Sequence, residues 1–86
     1  MTKVEIYTTD YCPYCRRAKA LLDKKGVAYQ EIDITDDEHT MRAKLAEMTG
    51  GRSSVPQIFI NGQSVGGSDD LVELNSSGKL DELLAA

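Results

Sequence analysis

A cysteine at the joint between a strand signal and a helix signal limits what this chain can fold into more than any other feature. Along Lys3–Thr8, Val4, Ile6 and Thr8 fall on one face and Lys3, Glu5 and Tyr7 on the other, the period of a half-buried strand. Residues 9–11 are polar and turn-like, and Cys12-Pro13 then opens a helix. Pro13 suits the first helical position, where its missing N–H is not needed. Cys15, Ala18, Leu21 and Leu22 recur at helical spacing as an inward stripe. Lys24 and Lys25 suit the negative end of the helix dipole, and Gly26 stops the helix.

The rest of the chain continues the alternation. Ala28–Ile34 reads as a second strand with Tyr29, Ile32 and Ile34 among acidic residues. Thr35 and Glu38 fit a capping box, followed by a helix whose Met41, Leu45 and Met48 form its core stripe and which ends near Gly50-Gly51. Val55-Pro56 precedes a third strand, Gln57–Ile60. Asn61-Gly62 is a two-residue hairpin signal that returns Gln63–Val65 antiparallel to it. After Gly66-Gly67, Ser68 is the expected N-cap of a short helix carrying Asp69, Asp70, Leu71 and Leu74, and Leu80–Ala85 adds a last helical turn or two burying Leu80, Leu83 and Leu84. The expected fold is α/β in the order βαβαββα: a four-stranded mixed sheet with helices on both faces.

With 86 residues there is room for one core, so residues 1–86 are expected to form a single domain. A hydrophobic content of 41% and a charged content of 28% suit a globule. Ten basic against fourteen acidic residues, a formal charge of −4, argue against a general binder of nucleic acid. No apolar run approaches the roughly 20 residues of a membrane span. The start, MTKVEIYTT, has no apolar signal region, and a cytoplasmic location is expected. Two cysteines are too few for a disulfide-dense scaffold or for a four-thiolate metal site within one chain.

What the pair can do follows from its place. Cys12 falls at the start of a helix, where unpaired N–H groups and the positive dipole end favour a thiolate, the attacking species in disulfide exchange. Cys15 lies one turn on, where the Cα separation of roughly 5–6 Å permits a disulfide. Arg16, Arg17 and Lys19 add positive potential on the same turns. Cys12 is therefore the expected nucleophile and Cys15 the resolving thiol. Half a zinc site completed by a partner chain, with or without His39, is the bland alternative, and no metal is expected. A structural disulfide is disfavoured by the tiny loop it would close.

Cys12-Pro13-Tyr14-Cys15 after a strand, Val55-Pro56 before a strand and Gly66-Gly67-Ser68-Asp69-Asp70 before a helix together resemble a dithiol glutaredoxin of the short bacterial type. The resemblance covers essentially the whole chain and implies a thioredoxin-like fold. It also implies glutathione as reducing co-substrate and a cis Val55-Pro56 bond. Val55 would pair its backbone with the cysteinyl unit of glutathione. Gly67, Ser68, Asp69 and Asp70 would take the two charges of the γ-glutamyl end. Arg52 would hold the glycyl carboxylate, and Tyr14, Ser54 and Pro56 would complete the glutathione site.

Two positions depart from the family's pattern. Thr9 stands where glutaredoxins usually carry Lys, three residues before the first cysteine, and Ser68 where many bacterial members have a third cysteine. The implied activity is glutathione-dependent thiol–disulfide exchange on protein disulfides and glutathione mixed disulfides. Ribonucleotide reductase is a candidate substrate, glutathione reductase is the indirect electron source, and a monomer is expected. The rival readings are a redoxin reduced by thioredoxin reductase and a dimer carrying an iron–sulfur cluster.

Overall fold

The alternation along the first segment becomes strand β1, Val4–Thr8, with Val4, Ile6 and Thr8 buried and Glu5 and Tyr7 half-buried. The computed structural model describes residues 2–85; the terminal residues of the expected 1–86 domain lie outside the described residues. Helix α1 runs from Pro13 to Lys24 and buries Cys15, Ala18 and Leu22. Gly26 follows in the left-handed region (φ 70°), which a residue with a Cβ rarely adopts. The chain crosses back to β2, Gln30–Asp33, which pairs parallel to β1. This strand is shorter than the expected 28–34. Next come a 3₁₀ turn at Thr35–Asp37 and helix α2, Glu38–Thr49.

Strands β3 (Gln57–Ile60) and β4 (Gln63–Gly66) form the hairpin, with positive φ at both Asn61 (52°) and Gly62 (81°), as a type I′ turn requires. Helices α3 (Ser68–Ser76) and α4 (Lys79–Ala85) end the chain. The sheet order is β2-β1-β3-β4, with β3 antiparallel to both neighbours. The strand period sorts the core into two layers. Val4, Ile6, Ile58 and Ile60 face Ala18 and Leu22 of α1, Leu71 of α3 and Leu80 of α4. Phe59 and Ile34 face Leu45 of α2, with Tyr7 set edge-on to Phe59 at 5.6 Å between ring centroids. The thioredoxin-like α/β arrangement is the one the sequence implies.

Three local expectations fail. Thr35 and Glu38 form no capping box: Thr35 Oγ1 donates to Asp33 Oδ1 (2.6 Å) and accepts from the Asp10 N–H (2.9 Å), while the Glu38 carboxylate reaches Tyr11 and Arg42. Met48 is 43% exposed, because the single buried anchor of α2 is Leu45 and the stripe turns away from the sheet toward the helix end. Ser68 is the first residue of α3 rather than its cap. Gly67 is the cap, and the Asp70 carboxylate accepts its N–H at 2.9 Å.

Candidate active site

Cys12 is the N-cap of α1, in extended backbone conformation, and its side chain does what Ser or Asp does at other helix starts. Its Sγ accepts the Cys15 N–H at 3.1 Å, so the sulfur sits over the open end of the helix, where a backbone donor favours negative charge. On its other side the thiol donates to the Val55 carbonyl at 3.8 Å. Cys15 lies beneath, 1% exposed against 8% for Cys12. Burial, then the hydrogen bond with Cys12, pushes the Cys15 thiol up to about 12; a backbone bond from Thr9 and the charge of Lys19 act the other way. Both thiols are free. The pair is thus asymmetric: one sulfur at the surface edge over a helix start, the other inside and protonated.

Beside Cys12 the Val55-Pro56 bond is cis, and the segment around it forms one wall of a groove of about 170 Å³. All nine residues assigned by resemblance to glutathione line this groove. Tyr14 flanks it from α1; Arg52, Ser54, Val55 and Pro56 come from the segment before β3; Gly67, Ser68, Asp69 and Asp70 come from the start of α3. Local chemistry shapes each wall. Gln57, fully buried at the start of β3, donates from Nε2 to Ser54 Oγ at 3.3 Å. A Cβ on Gly67 would stand 3.2 Å from the Pro56 carbonyl oxygen, so a larger residue there would push the start of α3 and the cis-proline segment apart by a few tenths of an ångström. Arg17 stacks its guanidinium over the Tyr14 ring at 5.7 Å.

Two charged groups of the groove pair with each other. Arg52 does not stand apart from the α3 start; its guanidinium pairs with Asp70 Oδ2 at 2.9 Å. The Gly67 N–H and then Arg52 hold the Asp70 carboxyl below its ordinary value of 3.8. A carboxyl lowered in the folded state adds stability above its unfolded value, and that contribution fades as pH falls through the folded value. Thermal midpoints of the wild-type protein are therefore expected to drop more steeply than those of Asp70→Asn as pH falls below the ordinary carboxyl value of 3.8. Parallel curves for the two proteins would show that Asp70 contributes nothing to acid sensitivity.

Lys19 is engaged too: Glu31 Oε2 accepts from Lys19 Nζ at 2.9 Å and from Thr8 Oγ1 at 2.7 Å. Thr9, in the place of the family's usual lysine, is buried, with its carbonyl accepting the Cys12 N–H at 3.4 Å. Two features escaped the sequence reading. Gln57 reads along the sequence only as a strand residue, and its polar side chain at an inward position is the one signal of its role. Tyr11, whose role the sequence left open, donates to Glu38 Oε1 at 2.6 Å, and no local pattern announces a partner 27 positions away.

A cysteine N-cap over a buried second cysteine, beside a cis-proline that lines a groove, defines a thioredoxin-like thiol–disulfide oxidoreductase. Comparison with known proteins narrows this class. Residues 4–65 match the family model described as Glutaredoxin. Glutaredoxin 3 of Escherichia coli strain K12 is 52% identical over 84 residues, covering 98% of this chain and 99% of that protein. A glutaredoxin from Brucella melitensis, solved in solution, superposes with a TM-score of 0.84 at 51% identity, covering 98% of this chain and 89% of that one. A buckwheat glutaredoxin–glutathione complex gives a TM-score of 0.89 at 36% identity, covering 98% of this chain and 77% of that one. The chain belongs to the glutaredoxin family.

Proposed function

We propose that the protein uses glutathione to reduce protein disulfides and glutathione mixed disulfides, with Cys12 attacking and Cys15 resolving. The observation that carries this reading is the groove beside Cys12. Its far end joins the N-terminus of α3 to the Asp70 carboxylate and the Arg52 guanidinium. The γ-glutamyl end of glutathione carries an ammonium and a carboxylate on one carbon and suits that mixture of donor, anion and cation. The exposed edge of the Val55 backbone suits strand-like pairing with the cysteinyl unit. The buckwheat relative solved with glutathione supports the same ligand.

The electron count closes without a metal. The Cys12 thiolate attacks one sulfur of the substrate disulfide, forming a mixed disulfide and expelling a thiolate that takes up a proton. Cys15 loses its proton and attacks Cys12 Sγ, releasing the second substrate thiol and leaving a Cys12–Cys15 disulfide. Two molecules of reduced glutathione return the pair to dithiol and leave as one glutathione disulfide. When the substrate is itself a glutathione mixed disulfide, free glutathione can resolve the Cys12 intermediate directly. Such a cycle needs a compartment held reducing, and the cytoplasm is the expected location, with the protein acting as a monomer. Ribonucleotide reductase remains a candidate substrate.

The test supplies NADPH, glutathione reductase and glutathione with hydroxyethyl disulfide as substrate, and in parallel NADPH with thioredoxin reductase. Rapid NADPH loss in the first system is expected. Turnover confined to the second would replace this reading with that of a redoxin fed by thioredoxin reductase.

A further inference from the structure

Two residues near the start of α2, Glu38 and Arg42, reach the loop before Cys12 and the segment before β3. Tyr11, the residue before the nucleophile, donates its hydroxyl to Glu38 Oε1 at 2.6 Å. The other oxygen, Glu38 Oε2, accepts from Arg42 Nε at 2.9 Å, and Arg42 Nη1 donates onward to the Ser53 carbonyl at 2.9 Å. Ser53 immediately precedes Ser54 and Val55 in the groove wall. A chain of three hydrogen bonds thus runs from the residue beside Cys12 to the segment carrying the cis-proline. We propose that Tyr11, Glu38 and Arg42 act as one positioning bridge that sets the spacing between the nucleophile and the Val55-Pro56 wall.

The chemistry of each member fits a bridge better than a surface ion pair. Glu38 and Arg42 are neighbours on one helix face, but an i, i+4 pair alone contributes little and needs neither Tyr11 nor Ser53. Here each carboxylate oxygen has its own donor, and the guanidinium uses two separate N–H groups on two acceptors. Only Arg offers that fork; Lys carries the charge without the geometry. The first hydrogen bond to Glu38 comes from Tyr11, and with Arg42 it holds the carboxyl below its ordinary range, so the acceptor stays ionised at neutral pH. The span matters because Cys12 Sγ already reaches the Val55 carbonyl at 3.8 Å. A ligand seated along the Val55 backbone presents its sulfur to Cys12 only if that spacing holds, and small displacements of reacting atoms are costly.

This inference rests on the groove being the glutathione site, and the experiment separates the two claims. Tyr11→Phe, Arg42→Met and the double variant are compared with the wild-type protein in the glutathione-coupled assay, using a glutathione mixed disulfide as substrate. Each single variant is expected to raise KM about three- to fivefold with kcat within about twofold. The double variant should do no more than either single one, because cutting the bridge twice is the same as cutting it once. Arg42→Lys is expected to behave as Arg42→Met, and alkylation of Cys12 by iodoacetamide should proceed at the wild-type rate in all variants.

Amide hydrogen exchange from Arg52 to Val55 supplies a readout that needs no ligand: faster in each single variant and no faster in the double. Wild-type KM values in an active protein, effects that multiply in the double variant, full rescue by lysine, or unchanged exchange would each overturn the bridge. Absence of glutathione turnover in the wild-type protein would instead sink the glutathione reading, and hydrogen exchange would still decide the bridge.

Discussion

The Cys12→Ser protein is expected to lose exchange with every disulfide, by more than about a thousandfold, the scale on which removing a nucleophile acts. Cys15→Ser, by contrast, is expected to keep turnover of glutathione mixed disulfides within about tenfold while losing reduction of protein disulfides that depend on the second thiol. The asymmetry comes from position. Cys12 caps α1 at the groove, whereas Cys15 lies inside with its thiol pushed up to about 12. At pH 7 a thiol held that far up is almost entirely protonated, so it does not take over the first attack. Resolution is easier than that fraction suggests. Once Cys12 is in a mixed disulfide it no longer carries the charge and hydrogen bond that push Cys15 upward. Assaying both variants on a glutathionylated peptide and on a protein disulfide checks the assignment. Substantial turnover by Cys12→Ser would refute it.

Gly66→Ala is expected to cost about 2–4 kcal/mol of folding stability, a fall in Tm of about 10–25 °C for a domain of this size. Gly66 sits where β4 carries one extra residue: Ile58 pairs with Gly66 and Phe59 with Ser64, leaving Val65 unpaired in the register. Its φ of 103° lies outside what a residue with a Cβ adopts readily. A methyl group there would run into the Asp70 side chain, 2.6 Å from its Cγ and 2.8 Å from its Cβ. Asp70 has nowhere to yield without giving up the Gly67 N–H and Arg52 together. The groove should suffer with the fold, so KM for the glutathione mixed disulfide should rise as well. Gly50→Ala is the control: φ is 78° but nothing lies within 4 Å, and only about 1 kcal/mol is expected. Equal urea midpoints for the two variants would show that the Asp70 contact does not govern the site.

Much of this could be read along the chain. The strand period of Val4, Ile6 and Thr8 reports a face directly, because successive side chains alternate, and both core layers follow from it. Pro13 after Cys12 and the Asn61-Gly62 turn act through backbone torsions that the residues themselves restrict, so their positions held. The groove residues were legible for a different reason: three short motifs in order resemble one family, and the fold brings those motifs to one place.

What was not legible is which of several partners in reach each polar group takes. Thr35, Glu38 and Ser68 each fitted a local capping pattern, yet Thr35 took Asp33 and the Asp10 N–H, Glu38 took Tyr11 and Arg42, and Asp70 rather than Ser68 served the first N–H of α3. Arg52 and Asp70, 18 positions apart, pair with each other instead of standing at separate ends of the groove. Sequence by itself therefore determined the order of elements, the inward face of β1 and the place of Cys12 at the start of α1, since those follow from backbone torsion, period and spacing. Tertiary structure decided the long-range partners, Tyr11 with Glu38 and Arg52 with Asp70. A donor with several acceptors in reach chooses among them by distances that exist only after the strands and helices have packed.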